Sequence, residues 1–356
     1  MPLQKMLGIR YPIIQAPMAG SDNPELVAAA SNAGVLGSLG AQYRTPEEIK
    51  KAIAEIRKLT DKPFAVNLFA LQEHRPPGDD LIEKALTHLQ KYYLQFGVQV
   101  PSFESVKTEI DPELQLKTIL EARVPVLSFT LGVFDKKWID AFKKQSTILI
   151  GTATNVKEAR FLEQAGIDVV TAQSVEAGGH RGTFIGPHEN SLIGGLALIP
   201  QVVDAVKLPV IAAGGIMDGR GIAAAFALGA QGVQLGTAFL TVDECPVHAA
   251  YKKAIREHDA DDTVITKVFS GGPARGIENK FITENKETTL LTFPYQNALT
   301  RPIRKVANET GQIEYTNLWS GQAGRLARAT TAKELVEHLM ADTEDVLAKL
   351  KTFALV

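Results

Sequence analysis

A histidine stands among glycines in the run Gln173-Ser174-Val175-Glu176-Ala177-Gly178-Gly179-His180-Arg181-Gly182. So flanked, it has little side chain around it to pack against and is available to a substrate. Imidazole is also the side chain best suited to exchange protons near neutral pH. A lone histidine is more often structural, but a place just past an apolar, β-type run favours a functional role. His180 is therefore the candidate acid–base or hydrogen-bonding residue. Arg181 beside it could attract an anionic substrate or simply be solvated. The other histidines lack such a context.

Two further segments carry glycine where an exposed backbone amide would be useful, Ala212-Ala213-Gly214-Gly215-Ile216 and Gln234-Leu235-Gly236-Thr237-Ala238. Bare N–H groups at the ends of apolar runs can cradle a phosphate, and Thr237 would add a hydroxyl donor. The segment Gln15-Ala16-Pro17-Met18-Ala19-Gly20 is built of small residues and a proline, which lets a planar ligand approach the backbone. No Walker-type Gly-x-x-x-x-Gly-Lys occurs, nor His-x-x-x-His, Cys-x-x-Cys or Gly-x-Ser-x-Gly. These absences argue against a P-loop, a metal site and a serine hydrolase. Cys245 is the single cysteine, so no intrachain disulfide can form.

These segments are positioned by alternating elements. Eight short apolar runs read as strands: 12–18, 35–41, 63–70, 124–131, 147–153, 168–174, 209–213 and 232–240. Between them lie helices with start signals, Asn23-Pro24, Thr45-Pro46 with Glu48, and Asn155 with Glu158. The apolar positions Ile49, Ile53, Ile56 and Leu59 mark one helical face. Strand–helix alternation predicts an α/β fold, a (β/α)8 TIM barrel, with the functional segments at the C-terminal ends of strands one, six, seven and eight. Residues 1–240 would form the barrel. An inserted helical segment after strand 3, residues 71–123, reads as two helices around Pro101 and as a candidate lid. Residues 241–330 read as an irregular C-terminal subdomain on the substrate side. Residues 331–356 read as a terminal helix packing on the barrel, opened by a capping box at Thr331 and Glu334.

The chain has 356 residues, 45% hydrophobic and 22% charged, with a net charge of −2. That balance gives no reason to expect nucleic acid or an anionic membrane as partner. No apolar stretch is long enough to span a bilayer, and the first residues lack signal-peptide character. The expectation is a cytoplasmic protein, monomer or homodimer.

Taken in order, Gln15-Ala16-Pro17-Met18-Ala19-Gly20, Gly37-Ser38-Leu39-Gly40, Asn67-Leu68-Phe69, Ala177-Gly178-Gly179-His180-Arg181-Gly182, Ala213-Gly214-Gly215-Ile216 and Gln234-Leu235-Gly236-Thr237 resemble nitronate monooxygenase, the family once called 2-nitropropane dioxygenase. Ser270-Gly271-Gly272-Pro273-Ala274-Arg275-Gly276 and Trp319-Ser320-Gly321-Gln322 continue the likeness. The resemblance implies FMN held non-covalently and oxidation of an alkyl nitronate by O₂ to a carbonyl compound and nitrite, through one-electron transfer to the flavin. It implies propionate 3-nitronate as the substrate. Ala16, Pro17 and Met18 would line the flavin, with Asn67 and Gln173 hydrogen-bonded to it and Gly178 and Gly179 beside it. Gly214, Gly215, Gly236 and Thr237 would hold the phosphate, and Gln322 would approach the ring. His180 matches the family's catalytic histidine, and Tyr295 is a substrate-pocket candidate. Arg301 and Arg304 do not align with the family pattern. The alternatives are an FMN-dependent enoyl-acyl carrier protein reductase, expected to carry Gln-Gly-Gly-Met where this chain has Gln15-Ala16-Pro17-Met18, and an NADH:quinone reductase.

Overall fold

The computed structural model describes residues 2–71, 76–107, 110–288 and 291–353. All eight apolar runs form strands: β1 (Ile13–Gln15), β2 (Gly37–Gly40), β3 (Phe64–Phe69), β4 (Val126–Thr130), β5 (Ile148–Ala153), β6 (Val169–Gln173), β7 (Val210–Ala213) and β8 (Gly232–Leu235). Strands β2 to β8 pair in parallel in chain order, and β8 pairs with β1. The ring closes where Ile14 bridges Leu36, with Gln15 N donating to Leu36 O at 2.9 Å. This is the expected (β/α)8 barrel. Two strands end well before their apolar runs, at Gln15 and Leu235. β1 stops before Pro17, which has no N–H to give a ladder. β8 stops at Leu235 because Gly236 takes helical dihedrals (φ −104°, ψ −64°) and starts the short helix Thr237–Leu240.

One end of the barrel is plugged. Ile14, Leu36, Ala65, Val126, Ile150, Val169 and Ile211 fill it near the strand starts, together with Leu3 and Leu7 of the helix Leu3–Leu7. The fit at Gly232 leaves no room for a side chain, since a Cβ there would lie 2.5 Å from Leu3 Cδ2. The opposite end, where the strands finish, is the open one.

The surrounding helices start where the sequence signals place them. Asn23 Oδ1 accepts from Leu26 N at 2.9 Å. Thr45 and Glu48 exchange both bonds of a capping box, which orients the helix Pro46–Leu59 so that Ile49, Ile53 and Ile56 are buried. Leu59, expected on that face, is 48% exposed because it sits in the fraying last turn. Asn155 Oδ1 caps through Glu158 N at 3.0 Å, but the Glu158 carboxylate turns elsewhere, as shown below.

The described residues of 71–123 form three helices rather than two: Asp79–Phe96, Phe103–Lys107 and Pro112–Glu121. The third is an ordinary crossover helix packed on Pro46–Leu59. The first two bury Ile82, Leu89, Tyr93 and Val106 against Phe269, Phe281, Leu299 and Ile303. That shared apolar core makes them a wall of the C-terminal subdomain instead of a separate lid. Residues 72–75 and 108–109 of the segment lie outside the described residues.

The C-terminal region also builds a small sheet. Thr263–Thr266 runs antiparallel to Ala274–Ile277, and Ala274–Ile277 pairs in turn with Gly179–His180. The turn bearing the candidate histidine is thus stitched to the subdomain above it. The terminal helix Ala332–Phe353 opens with the predicted capping box, Glu334 N to Thr331 Oγ1 at 3.2 Å and Thr331 N to Glu334 Oε2 at 3.0 Å. It buries Leu335, Val336 and Leu339 on the barrel. Among the described residues, no helix is long and apolar enough to cross a membrane.

Candidate active site

A cavity opens at the C-terminal ends of the strands, and every strand contributes to it. Its walls include Ala16, Pro17 and Met18 after β1, Tyr43 after β2, Asn67 and Phe69 on β3, Thr130 on β4 and Thr152 on β5. Gln173 and Gly178–His180 come from β6 and its loop, Gly214 and Gly215 follow β7, and Gly236 and Thr237 follow β8.

The β7 and β8 ends form one side. Gly214 has φ +106° and Gly215 φ +71°, conformations that favour glycine. A Cβ on Gly214 would lie 2.3 Å from Ser174 Oγ and 2.8 Å from Ala177 N. Among the described residues, the amides of Gly214, Gly215 and Gly236 donate to no backbone acceptor. Thr237 Oγ1 accepts from Gly321 N at 3.0 Å, which leaves its own hydrogen to donate. Uncommitted donors on bent backbone suit a phosphate.

The β1 loop forms the floor. Asp22 Oδ2 accepts from Met18 N at 2.8 Å and from Gly40 N at 2.7 Å, binding this loop to the end of β2. A Cβ on Gly40 would lie 2.4 Å from Ala19 N, so only glycine lets the two segments pass this closely. Burial raises the Asp22 carboxyl to about 6, against the pull of those two amides and of Arg44. Asn67 Nδ2 donates to Ser128 Oγ at 2.9 Å, and Thr130 Oγ1, on the cavity wall, is buried without a partner. A planar ligand with polar ring atoms would satisfy such groups.

His180 is held from several directions. Gln173 Nε2 donates to His180 O at 2.9 Å, and Gln173 Oε1 accepts from Gly182 N at 2.8 Å. Gln173 lines the cavity, but both ends of its amide hold this turn. Glu158 Oε1 accepts from Phe184 N and Ile185 N at 2.7 and 2.9 Å, fixing the chain that follows. The imidazole lies among Phe69, Phe293 and Trp319, with ring centroids 5.5 to 5.8 Å away. Its Nε2 is 2.8 Å from Ser270 Oγ. Burial, helped by the positive charge of Arg304, lowers its pKa to about 4. The ring is therefore neutral at physiological pH and can accept a proton.

Three sequence candidates take other places. Arg181 is fully buried, donating to Ser174 O at 2.6 Å, Gln173 O at 3.1 Å and Ser191 O at 3.3 Å. It braces the loop from behind and does not line the cavity. Tyr295 is buried in the subdomain core with Phe269 and Leu299, because it opens the helix Tyr295–Glu309 on its inward face. Positions 297 and 304 of that helix, two turns apart, face the cavity instead. Gln322 acts through its backbone, N donating to Glu176 O at 3.0 Å, while Gly321 and Ala323 beside it line the cavity.

Asp22, Tyr43 and Asn297 were not singled out from sequence. Tyr43 follows a strand end and was legible by that rule, whereas Asp22 and Asn297 resemble ordinary loop and helix polar residues. Among the described residues, no cluster of three or more His, Cys, Asp or Glu side chains is placed to hold a metal ion.

Comparison with known proteins gives the family. Residues 1–342 match the family model described as nitronate monooxygenase. A Staphylococcus haemolyticus protein named "Probable nitronate monooxygenase" is 43% identical, over 98% of each chain. The solved nitroalkane oxidase from Streptomyces ansochromogenes is 38% identical with a TM-score of 0.90, covering 98% of this chain and 99% of that one. FabK from Thermotoga maritima is similar at 31% identity and a TM-score of 0.79, covering 99% of this chain and 98% of that one.

Proposed function

The chain belongs to the nitronate monooxygenase family of oxidoreductases, and on that premise we propose that it binds FMN and oxidises alkyl nitronates with O₂ to a carbonyl compound and nitrite, propionate 3-nitronate among them. The observation that carries this reading is one cavity holding both an uncommitted amide cradle and a neutral, half-buried imidazole. Gly214, Gly215, Gly236 and Thr237 would take the phosphate. Ala16, Pro17 and Met18 would lie along the ring system, with Asn67 and Thr130 at polar positions on its edge. When bound, the flavin supplies the electron acceptor and the reactivity toward O₂.

The protein's own contribution is orientation and proton placement. Ser270 Oγ donates to Gly272 O at 3.1 Å. A hydroxyl has a single hydrogen, and with it on Gly272 O we take the tautomer in which His180 Nε2–H donates to Ser270. Nδ1 is then the nitrogen with the lone pair, and no protein group among the described residues occupies it. That nitrogen can take the α-proton of a neutral nitroalkane. A nitronate is already deprotonated and needs only positioning. Phe69, Phe293 and Trp319 around the ring exclude water, which strengthens the electrostatics of the site.

The test is to supply propionate 3-nitronate and follow O₂ consumption and nitrite release, with NADH oxidation assayed in parallel. Nitrite formation without NADH turnover supports the proposal. Rapid NADH oxidation without nitrite release would assign the site to a reductase.

A further inference from the structure

On the cavity wall formed by the subdomain, a guanidinium stands without an acid. Arg304 Nε donates to Thr300 Oγ1 at 3.1 Å, and Nη2 donates to Asn297 Oδ1 at 2.6 Å and Asn297 O at 3.2 Å. A guanidinium carries five N–H groups. Among the described residues, those three bonds leave both hydrogens of Nη1 without a protein acceptor. Among the described residues no carboxylate pairs with Arg304. Glu176, the acid that lines the cavity, instead accepts from Gly195 N at 3.0 Å.

Arg304 is half-buried and lines the cavity, and a largely desolvated cation with no counter-charge favours an anionic partner. Burial lowers the Arg304 pKa to about 10, with the exposed Arg301 contributing in the same direction, yet the group stays charged near neutrality. Tyr43 lies within the reach of both cations, and burial raises its phenol to about 12, so it is a neutral hydrogen-bond donor. The site thus offers Nη1 and a phenol, a small donor set that fits a carboxylate. Arg304 and His180 line the same cavity, and the charge of one is felt by the other.

We infer that Arg304, assisted by Tyr43, binds a carboxylate at the end of the substrate remote from the nitronate and thereby sets specificity for short nitronates that carry one. This rests on the nitronate reading for placing the reacting end near His180. The carboxylate anchors one end of the molecule while the other lies against His180.

A nitronate and a carboxylate are both planar anions with two acceptor oxygens. Succinate therefore imitates a carboxylated nitronate, and butyrate imitates one without the second anion. Binding of each to the FMN-loaded protein is measured calorimetrically, in parallel with kinetics on propionate 3-nitronate and propyl-1-nitronate. Arg304→Gln should weaken succinate by about tenfold more than butyrate, the scale of a hydrogen bond to a charged group. The ratio of kcat/KM for propionate 3-nitronate over propyl-1-nitronate should fall by about the same factor. Arg304→Lys should restore part of the preference, and Tyr43→Phe should reduce it without changing charge. Thermal melts check folding, and if Arg304→Gln does not fold, Arg304→Lys and Tyr43→Phe decide the matter. Equal weakening of both ligands, or of neither, overturns the inference. An Arg304-dependent preference for succinate in a protein that oxidises neither nitronate would keep the anion site and remove the nitronate reading.

Discussion

Gly178 in the histidine turn and Gly321 in the C-terminal stretch approach so closely that a Cβ on Gly178 would lie 2.6 Å from Gly321 N. Gly321 is also held by Thr237 Oγ1 at 3.0 Å. The approach couples three parts of the cavity, the β6 loop, the β8 end and the 320–322 stretch. Gly178→Ala should displace that stretch and weaken FMN retention, read as flavin lost on gel filtration. Gly179→Ala has open space for its Cβ, but its φ of +76° imposes strain of about 1–2 kcal/mol. It should lower the melting temperature with less loss of flavin. Equal flavin loss in the two variants would contradict this.

Ser270 Oγ lies 2.8 Å from His180 Nε2 and also ties Gly272 through its O and N. Ser270→Ala removes the acceptor that selects the Nε2–H tautomer. Turnover of a neutral nitroalkane should fall by about tenfold, within the range of general-base effects. Oxidation of the preformed nitronate should fall much less, because it needs no base. A uniform loss on both substrates would mean that Ser270 is only structural. His180→Ala should abolish nitroalkane turnover, and full activity in that variant would rule out the base.

The pH profile follows from the lowered histidine pKa. The base must be neutral, and its pKa moves from 6.5 to about 4. Nitroalkane turnover should therefore persist as pH falls through 6.5 and collapse near 4. The same depression means that the unfolded chain takes the proton first. Stability from the neutral imidazole is present above 6.5 and is lost as pH falls toward 4. An acid limb at 6.5 would show that the ring is solvated in the working enzyme.

Asp22 is the buried tie under the β1 loop. Asp22→Ala leaves the Met18 and Gly40 amides without an acceptor, at a cost of about 2–4 kcal/mol, read from chemical denaturation. Asp22→Asn can keep one oxygen on both amides and should cost less. If Asn costs as much as Ala, the ionised carboxylate and Arg44 matter more than the two amides.

The barrel was legible because strands buried on both faces are continuous apolar runs, and helix caps such as Asn23 and Thr45 bind neighbouring amides. The place of Gly214, Gly215 and Gly236 on the cavity wall was legible because they fall at strand ends. What could not be read were partnerships over long separations. Arg181 resembles a substrate-binding arginine until the carbonyls of Ser174 and Ser191 are seen around it. Tyr295 and Arg304 lie on one helix, and the sequence does not reveal which side of it faces the cavity. Glu158 reads as half of a capping box, yet it anchors Phe184 and Ile185, which follow the His180 turn.

The most direct test of FMN-dependent nitronate oxidation is a visible spectrum of the purified protein, followed by anaerobic mixing with propionate 3-nitronate and, separately, with NADH. A yellow protein whose flavin absorbance changes with the nitronate and is unaffected by NADH is the predicted result. Bleaching by NADH alone, or a colourless protein that cannot take up FMN, would contradict it.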